Sequence, residues 1–155
     1  MSWRARLSAL GLELPEVVAP LAAYVPAVRT GQLVYTSGQL PMTGGKLTHT
    51  GKVGAEVSPE DAHAAARVCA VNALAAVHAL VGLDSVTRVV KVVGFVASAP
   101  HFHGQPAVVN GASEFLGDVF GDAGAHARSA VGVSELPLDA PVEVELIVEI
   151  SAPAG

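Results

Sequence analysis

Residues 142–150, Val-Glu-Val-Glu-Leu-Ile-Val-Glu-Ile, alternate with period two. Val142, Val144, Leu146, Val148 and Ile150 fall on one side, and Glu143, Glu145 and Glu149 on the other. This commits the stretch to a strand with one buried face, because a slip of a single residue would turn three carboxylates into the core. A second strand, 127–133, precedes it across Leu136-Pro137 and carries Arg128 among Ala and Val. Buried charge is costly unless paired. Arg128 therefore points either to an anionic ligand, a carboxylate being the best match to a guanidinium fork, or to a structural salt bridge or an exposed edge.

The rest of the pattern supplies the layer that such a strand needs. A short helix is predicted over 2–10, with Trp3, Leu7 and Leu10 on one side and Gly11 and Pro15 stopping it. Strands over 24–29 and 32–37 read as a hairpin turning at Thr30-Gly31, with Pro26 confining the first to an edge or its beginning. The clearest helix spans 59–81, from Ser58 as N-cap, Pro59 and Asp61 to Gly82. Its packed face reads as Ala62, Ala65, Ala66, Cys69, Ala73, Ala76, Val77 and Leu80, and so many alanines imply close approach to a sheet. Residues 86–97 are β-branched and suit an interior strand, and 105–120 form a second core helix. The order ββ-α-β-α-ββ is an α+β layout, two helices on one face of a mostly antiparallel sheet. One domain spans 1–155, with a helical extension at 1–19 and a core at 20–150.

Composition narrows the functions open to this fold. Of 155 residues 51% are apolar and 15% charged, enough for a core without disulfides or metal and apolar enough to suggest further burial in an oligomer. The net charge of −5, with nine scattered Lys and Arg, argues against a nucleic-acid partner. The single cysteine, Cys69, fits a reducing compartment and reads as a buried inert thiol. No secretory pattern or stretch of about 18 uncharged apolar residues occurs, so the expectation is a cytoplasmic protein without a membrane span. His101-Phe-His103 has metal-site spacing but no third ligand, so both read as solvated loop histidines and no metal is expected. Gly44-Gly45 does not match a phosphate loop.

Arg128 and Glu143 are the leading candidates for chemistry. On adjacent antiparallel strands they would come within reach, the cation holding an anionic substrate and the acid directing a water. His126 belongs either to the same cleft or to the surface. Asn72 and Asn110 are polar spots in apolar surroundings, of the kind that satisfy backbone groups. Ser37-Gly38-Gln39-Leu40-Pro41 ends a strand with a glycine that lets backbone approach a ligand.

Tyr24-Val25, Thr36 to Pro41, Asn72, Val89 to Val96, Val109-Asn110, Ala127-Arg128-Ser-Ala-Val, Leu136-Pro137 and Val142-Glu143-Val-Glu145 together resemble the Rid family, also called YjgF/YER057c/UK114, over residues 20–150. The resemblance implies a chorismate-mutase-like fold and a homotrimer whose sheets close around a central barrel, with ligand clefts between subunits. Members hydrolyse reactive enamines and imines, such as 2-aminoacrylate, to 2-keto acids and ammonia without metal or organic cofactor. By position, Arg128 would clamp the substrate carboxylate and Glu143 would position or activate water. Tyr24 would line the cleft, Gly38 and Ala130 would offer backbone contacts, and Asn110 and Pro137 would complete the substrate-binding set. Ala130 stands where many members carry a cysteine, which removes any thiol role. The extension and the longer segment from Gly44 to Glu56 mark a divergent branch. Two other readings stay open: a non-catalytic trimer binding small carboxylates, and an endoribonuclease, a label attached to the family that the acidic charge disfavours.

Overall fold

The computed structural model describes residues 1–20 and 23–152. Helix α1 (Trp3–Ala9) leads into β1 (Ala27–Thr30), β2 (Leu33–Thr36), β3 (Met42–Thr43) and β4 (Lys46–Leu47). After these come α2 (Pro59–Val81), β5 (Val86–Ala97), α3 (Gln105–Phe120), β6 (Ala127–Val133) and β7 (Val142–Ile150). The main sheet has the order β1-β2-β7-β5-β6, and β3 with β4 forms a separate hairpin. The sheet is mixed: β5 and β6 run parallel and every other pairing is antiparallel.

This topology corrects one expectation. β6 and β7 are not neighbours, because β5 lies between them. The segment β5–α3–β6 is a crossover, which returns β6 parallel to β5. The connection from β6 to β7, residues 134–141, is longer than a tight hairpin loop. It steps over the end of β5, where Ala97 N–H donates to the Pro141 carbonyl at 2.9 Å and Ser98 N–H to Val133 at 3.2 Å.

The alternation read from β7 survives intact: Val142, Val144, Leu146, Val148 and Ile150 are all buried. The α2 face of Ala62, Ala66, Cys69, Ala70 and Ala73 packs into the same core. Ser58 Oγ caps α2 by accepting from Asp61 N–H at 3.1 Å. By length and composition α2 could cross a bilayer, but eleven of its residues are buried here, so its apolarity is that of a core helix. Burial, and secondarily Glu143, pushes the Cys69 thiol upward, so it stays protonated and unreactive.

The N-terminal extension and the segment from Gly44 to Glu56 are both docked on the fold. Trp3 donates from Nε1 to the Val86 carbonyl at 2.7 Å and meets the Phe120 ring edge-on at 5.1 Å, while Leu7 is buried. Leu10 lies outside α1 and stays exposed. The helical extension is thus only 3–9, and residues 10–20 run on without helix. After the β3–β4 hairpin the chain tucks Val53 and Val57 into the core. Asn72 Nδ2 donates to the carbonyls of Leu40 and Met42 at 3.1 and 3.0 Å, the backbone role read for it.

Candidate active site

Arg128 stands on the edge strand β6 opposite Val92, a fully buried residue of β5, so its side chain turns to the helix-covered face. α3 comes very close there: a Cβ on Gly94 would collide with the Val109 side chain, so only glycine admits this approach. The guanidinium then reaches α3 directly. Nη1 donates to Asn110 Oδ1 at 2.7 Å and to Ser113 Oγ at 3.2 Å, and Nη2 to the Pro106 carbonyl at 3.4 Å. All three acceptors are neutral. No described carboxylate pairs with Arg128, so the structural salt bridge falls away as its explanation. The charge is held in place and left uncompensated.

Glu143 lies on the other face. It pairs with Phe95, three residues beyond Val92 on β5, and an odd step along a strand reverses the side. Its carboxyl lies against Gly38, where a Cβ would come within 2.7 Å of Cδ and Oε1. Burial first, and the like charge of Glu145 second, raise its pKa above the ordinary carboxylate value. Gly38 and Tyr24 share the wall of a cavity of about 30 Å³, room for a water. The strand end that carries Gly38 is pinned to β7 through Gln39, whose N–H and carbonyl bond Val144 at 2.8 and 3.0 Å.

The expected residues therefore fall into two groups. Arg128 and Asn110 are brought together by β6 and α3, with Ala130 two residues along β6 opposite Gly94. Glu143 and Gly38 are brought together by β7 and the end of β2, and Tyr24, ahead of β1, shares a cavity wall with Gly38. Within one protomer Arg128 and Glu143 are separated by a strand and point to opposite faces, contrary to the expectation of adjacent strands. Pro137 opens an exposed turn in the β6–β7 connection in which Leu138 and Asp139 take φ of 60° and 62°. His101 and His103 are exposed, and no cluster of three or more metal-ligating side chains occurs among the described residues.

Sequence reasoning passed over Ser113. Its spacing of three from Asn110 puts both on one helical face, the one signal that could have found it. His126 is now placed: Nε2 lies 2.9 Å from Ser113 Oγ and Nδ1 2.6 Å from the Gly124 carbonyl.

Residues 4–150 match the family described as "YjgF/chorismate mutase-like, putative endoribonuclease", a span that takes in most of α1. Over 149 residues the chain is 44% identical to protein TCP17 of Trypanosoma cruzi, covering 95% of this chain and 93% of that protein. The crystal structure of Atu1372 from Agrobacterium tumefaciens, described as of unknown function, is 48% identical with a TM-score of 0.89, covering 96% of this chain and 92% of that one. Escherichia coli TdcF, solved with bound serine, is 27% identical with a TM-score of 0.62, covering 88% and 93%.

Proposed function

The chain belongs to the YjgF/chorismate mutase-like family, and from that premise we propose that it hydrolyses small enamines and imines derived from amino acids to 2-keto acids and ammonia, at clefts between the subunits of a homotrimer. The observation that carries this reading is Arg128, a guanidinium oriented by neutral partners and lacking an internal acid. A substrate carboxylate is its best complement. The serine bound to TdcF is a small amino acid with such a carboxylate.

The second copy enters because one protomer cannot close the site. The sheet face away from the helices carries, beside its carboxylates, exposed apolar side chains that a lone domain would bury: Val28 and Tyr35 are 52% and 43% exposed, and Val131, level with Phe95 and Glu143, is 44% exposed. β6 also leaves a free edge beside Arg128. Packing copies through these surfaces would cover the apolar face and carry the Arg128 edge of one copy toward the Glu143 face of the next.

An enamine first becomes the imine by taking a proton on carbon and losing one from nitrogen. Arg128 holds the carboxylate. As water adds to the imine carbon, its proton passes to Glu143, the C=N electron pair moves to nitrogen, and Glu143 returns that proton to the nitrogen. The carbinolamine hydroxyl then passes its proton, again by way of Glu143, to the nitrogen as the C–N bond breaks, giving the 2-keto acid and ammonia. A carboxyl whose pKa burial raises suits this exchange, because it both accepts a proton and gives it back. Imines already hydrolyse readily, so orientation and one poised water supply most of the acceleration.

The test is to generate 2-iminobutanoate enzymatically and follow its loss with and without the protein. Mixing the separately impaired Arg128→Ala and Glu143→Gln proteins, after dissociation and reassembly, should raise activity above that of either alone, because some interfaces then pair an intact arginine with an intact glutamate. Turnover no faster than the uncatalysed rate, with 2-oxobutanoate still binding, would favour the non-catalytic carboxylate-binding trimer. RNA cleavage is the weaker alternative at a net charge of −5.

A further inference from the structure

We infer that Ser113 and His126 act as a positioning pair that fixes which edge of the Arg128 guanidinium faces the substrate; the inference rests on the carboxylate-clamp reading above. The bonding order follows from donor chemistry. The Gly124 carbonyl can only accept, so the His126 nitrogen 2.6 Å from it, Nδ1, carries a proton. In the neutral ring Nε2 is then an acceptor, and the partner 2.9 Å away is the Ser113 hydroxyl, which donates to it. With its hydrogen committed to His126, Ser113 Oγ presents a lone pair to Arg128 Nη1 at 3.2 Å. The hydroxyl thus has one arrangement in place of several.

The consequence lies at the guanidinium. Nη1 has two hydrogens, and Asn110 at 2.7 Å and Ser113 at 3.2 Å accept both. That side of the fork is spent on the protein. Nη2 makes one long contact, 3.4 Å to the Pro106 carbonyl, and Nε donates to no described residue. The Nε/Nη2 edge is therefore the one presented to a carboxylate, in a side-on bidentate grip. The chain from Gly124 through His126 and Ser113 holds this orientation from behind, and neither residue needs to touch the substrate.

The experiment measures turnover of 2-iminobutanoate and binding of 2-oxobutanoate by calorimetry for the wild type, Ser113→Ala, Ser113→Thr, His126→Phe and the double variant Ser113→Ala/His126→Phe. Loss of one net hydrogen bond predicts that KM and the 2-oxobutanoate Kd rise by about three- to tenfold in Ser113→Ala, while kcat changes by less than about twofold. Ser113→Thr, which keeps the hydroxyl, should restore the wild-type values. His126→Phe should show the same KM rise, and the double variant should be no worse than either single one, the non-additivity of residues acting through one chain. Thermal midpoints report folding independently. Unchanged KM and Kd in both single variants, or additive losses with no rescue by threonine, would overturn the inference. A wild type that neither turns over the imine nor binds the keto acid would instead overturn the clamp reading itself.

Discussion

Arg128 and Glu143 are supported in opposite ways. The arginine sits at a sheet edge, half-buried, with neutral oxygens from α3 arranged around it. The glutamate sits on the middle strand of the sheet, beside another carboxylate, pressed against a glycine and raised in pKa chiefly by burial. One charge is favoured by its surroundings and the other is disfavoured. Removing either should therefore damage activity, while stability stays nearly unchanged at the arginine and rises at the glutamate, a contrast that separates functional groups from structural ones.

The largest effect is expected at the cation. Arg128→Ala removes the cation that holds the substrate carboxylate in the proposed cleft, and kcat/KM for 2-iminobutanoate should fall by about a thousandfold. The thermal midpoint should change little, because the acceptors it leaves are at the surface or can take water. A large drop in melting temperature with retained turnover would reverse the roles assigned to the two halves.

Glu143→Gln should lower kcat by about a hundredfold, the lower range for loss of a proton-transfer group, since imines are reactive already. Unlike the arginine change, it should raise stability. A carboxyl with a raised folded pKa binds its proton more tightly in the native state, so its contribution is full at low pH and is lost as pH rises through the folded value. Glutamine mimics the protonated form. Urea midpoints of the variant and wild type should coincide near about pH 4 and separate in the variant's favour near about pH 8. A reversed difference at the higher pH would mean that a neighbouring guanidinium already neutralises the carboxylate in the assembled protein.

Local patterns carried most of the fold. α2 and β5 begin and end where Ser58-Pro59, Gly82 and Pro100 place them, because caps, proline and β-branching act within a few residues. The pairing of β6 was not legible. Whether a strand joins its successor or steps over another depends on the α3 crossover and the long connection at 134–141, and neither alters the residue pattern of β6 itself. The site inherits that error: Arg128 and Glu143 were recognisable by type and family position, but which face each occupies depends on register. Ser113 escaped, and His126 stayed undecided between cleft and surface, for a related reason, since a serine and a histidine 13 residues apart meet only once α3 lies along β6.

Gly38→Ala probes the anionic half without removing its charge. The added carbon would come 2.7 Å from Cδ and Oε1 of Glu143, and the free end of that side chain must swing away. Stability should fall by less than about 1 kcal/mol because a side chain, not backbone, yields. The displaced carboxyl should lower kcat by about thirtyfold, within the sensitivity of catalysis to small misplacement. Unchanged kcat would detach Glu143 from proton transfer, whatever the glutamine variant does.

Asn110→Asp erases the contrast from the other side. It gives Arg128 an internal carboxylate at the atom now 2.7 Å from Nη1, so the cation acquires the partner it lacks. Two consequences follow from the same charge. The ion pair should hold the guanidinium at least as firmly as the amide does, leaving the thermal midpoint unchanged or higher. Substrate carboxylate must then compete with a charged neighbour for the same cation, and KM should rise by about tenfold with kcat nearly constant. Added salt should narrow that gap, because the competition is ionic. If Asn110→Asp left KM unaltered, the empty charge of Arg128 would have no bearing on ligand binding, and its support by neutral acceptors would be a feature of packing alone.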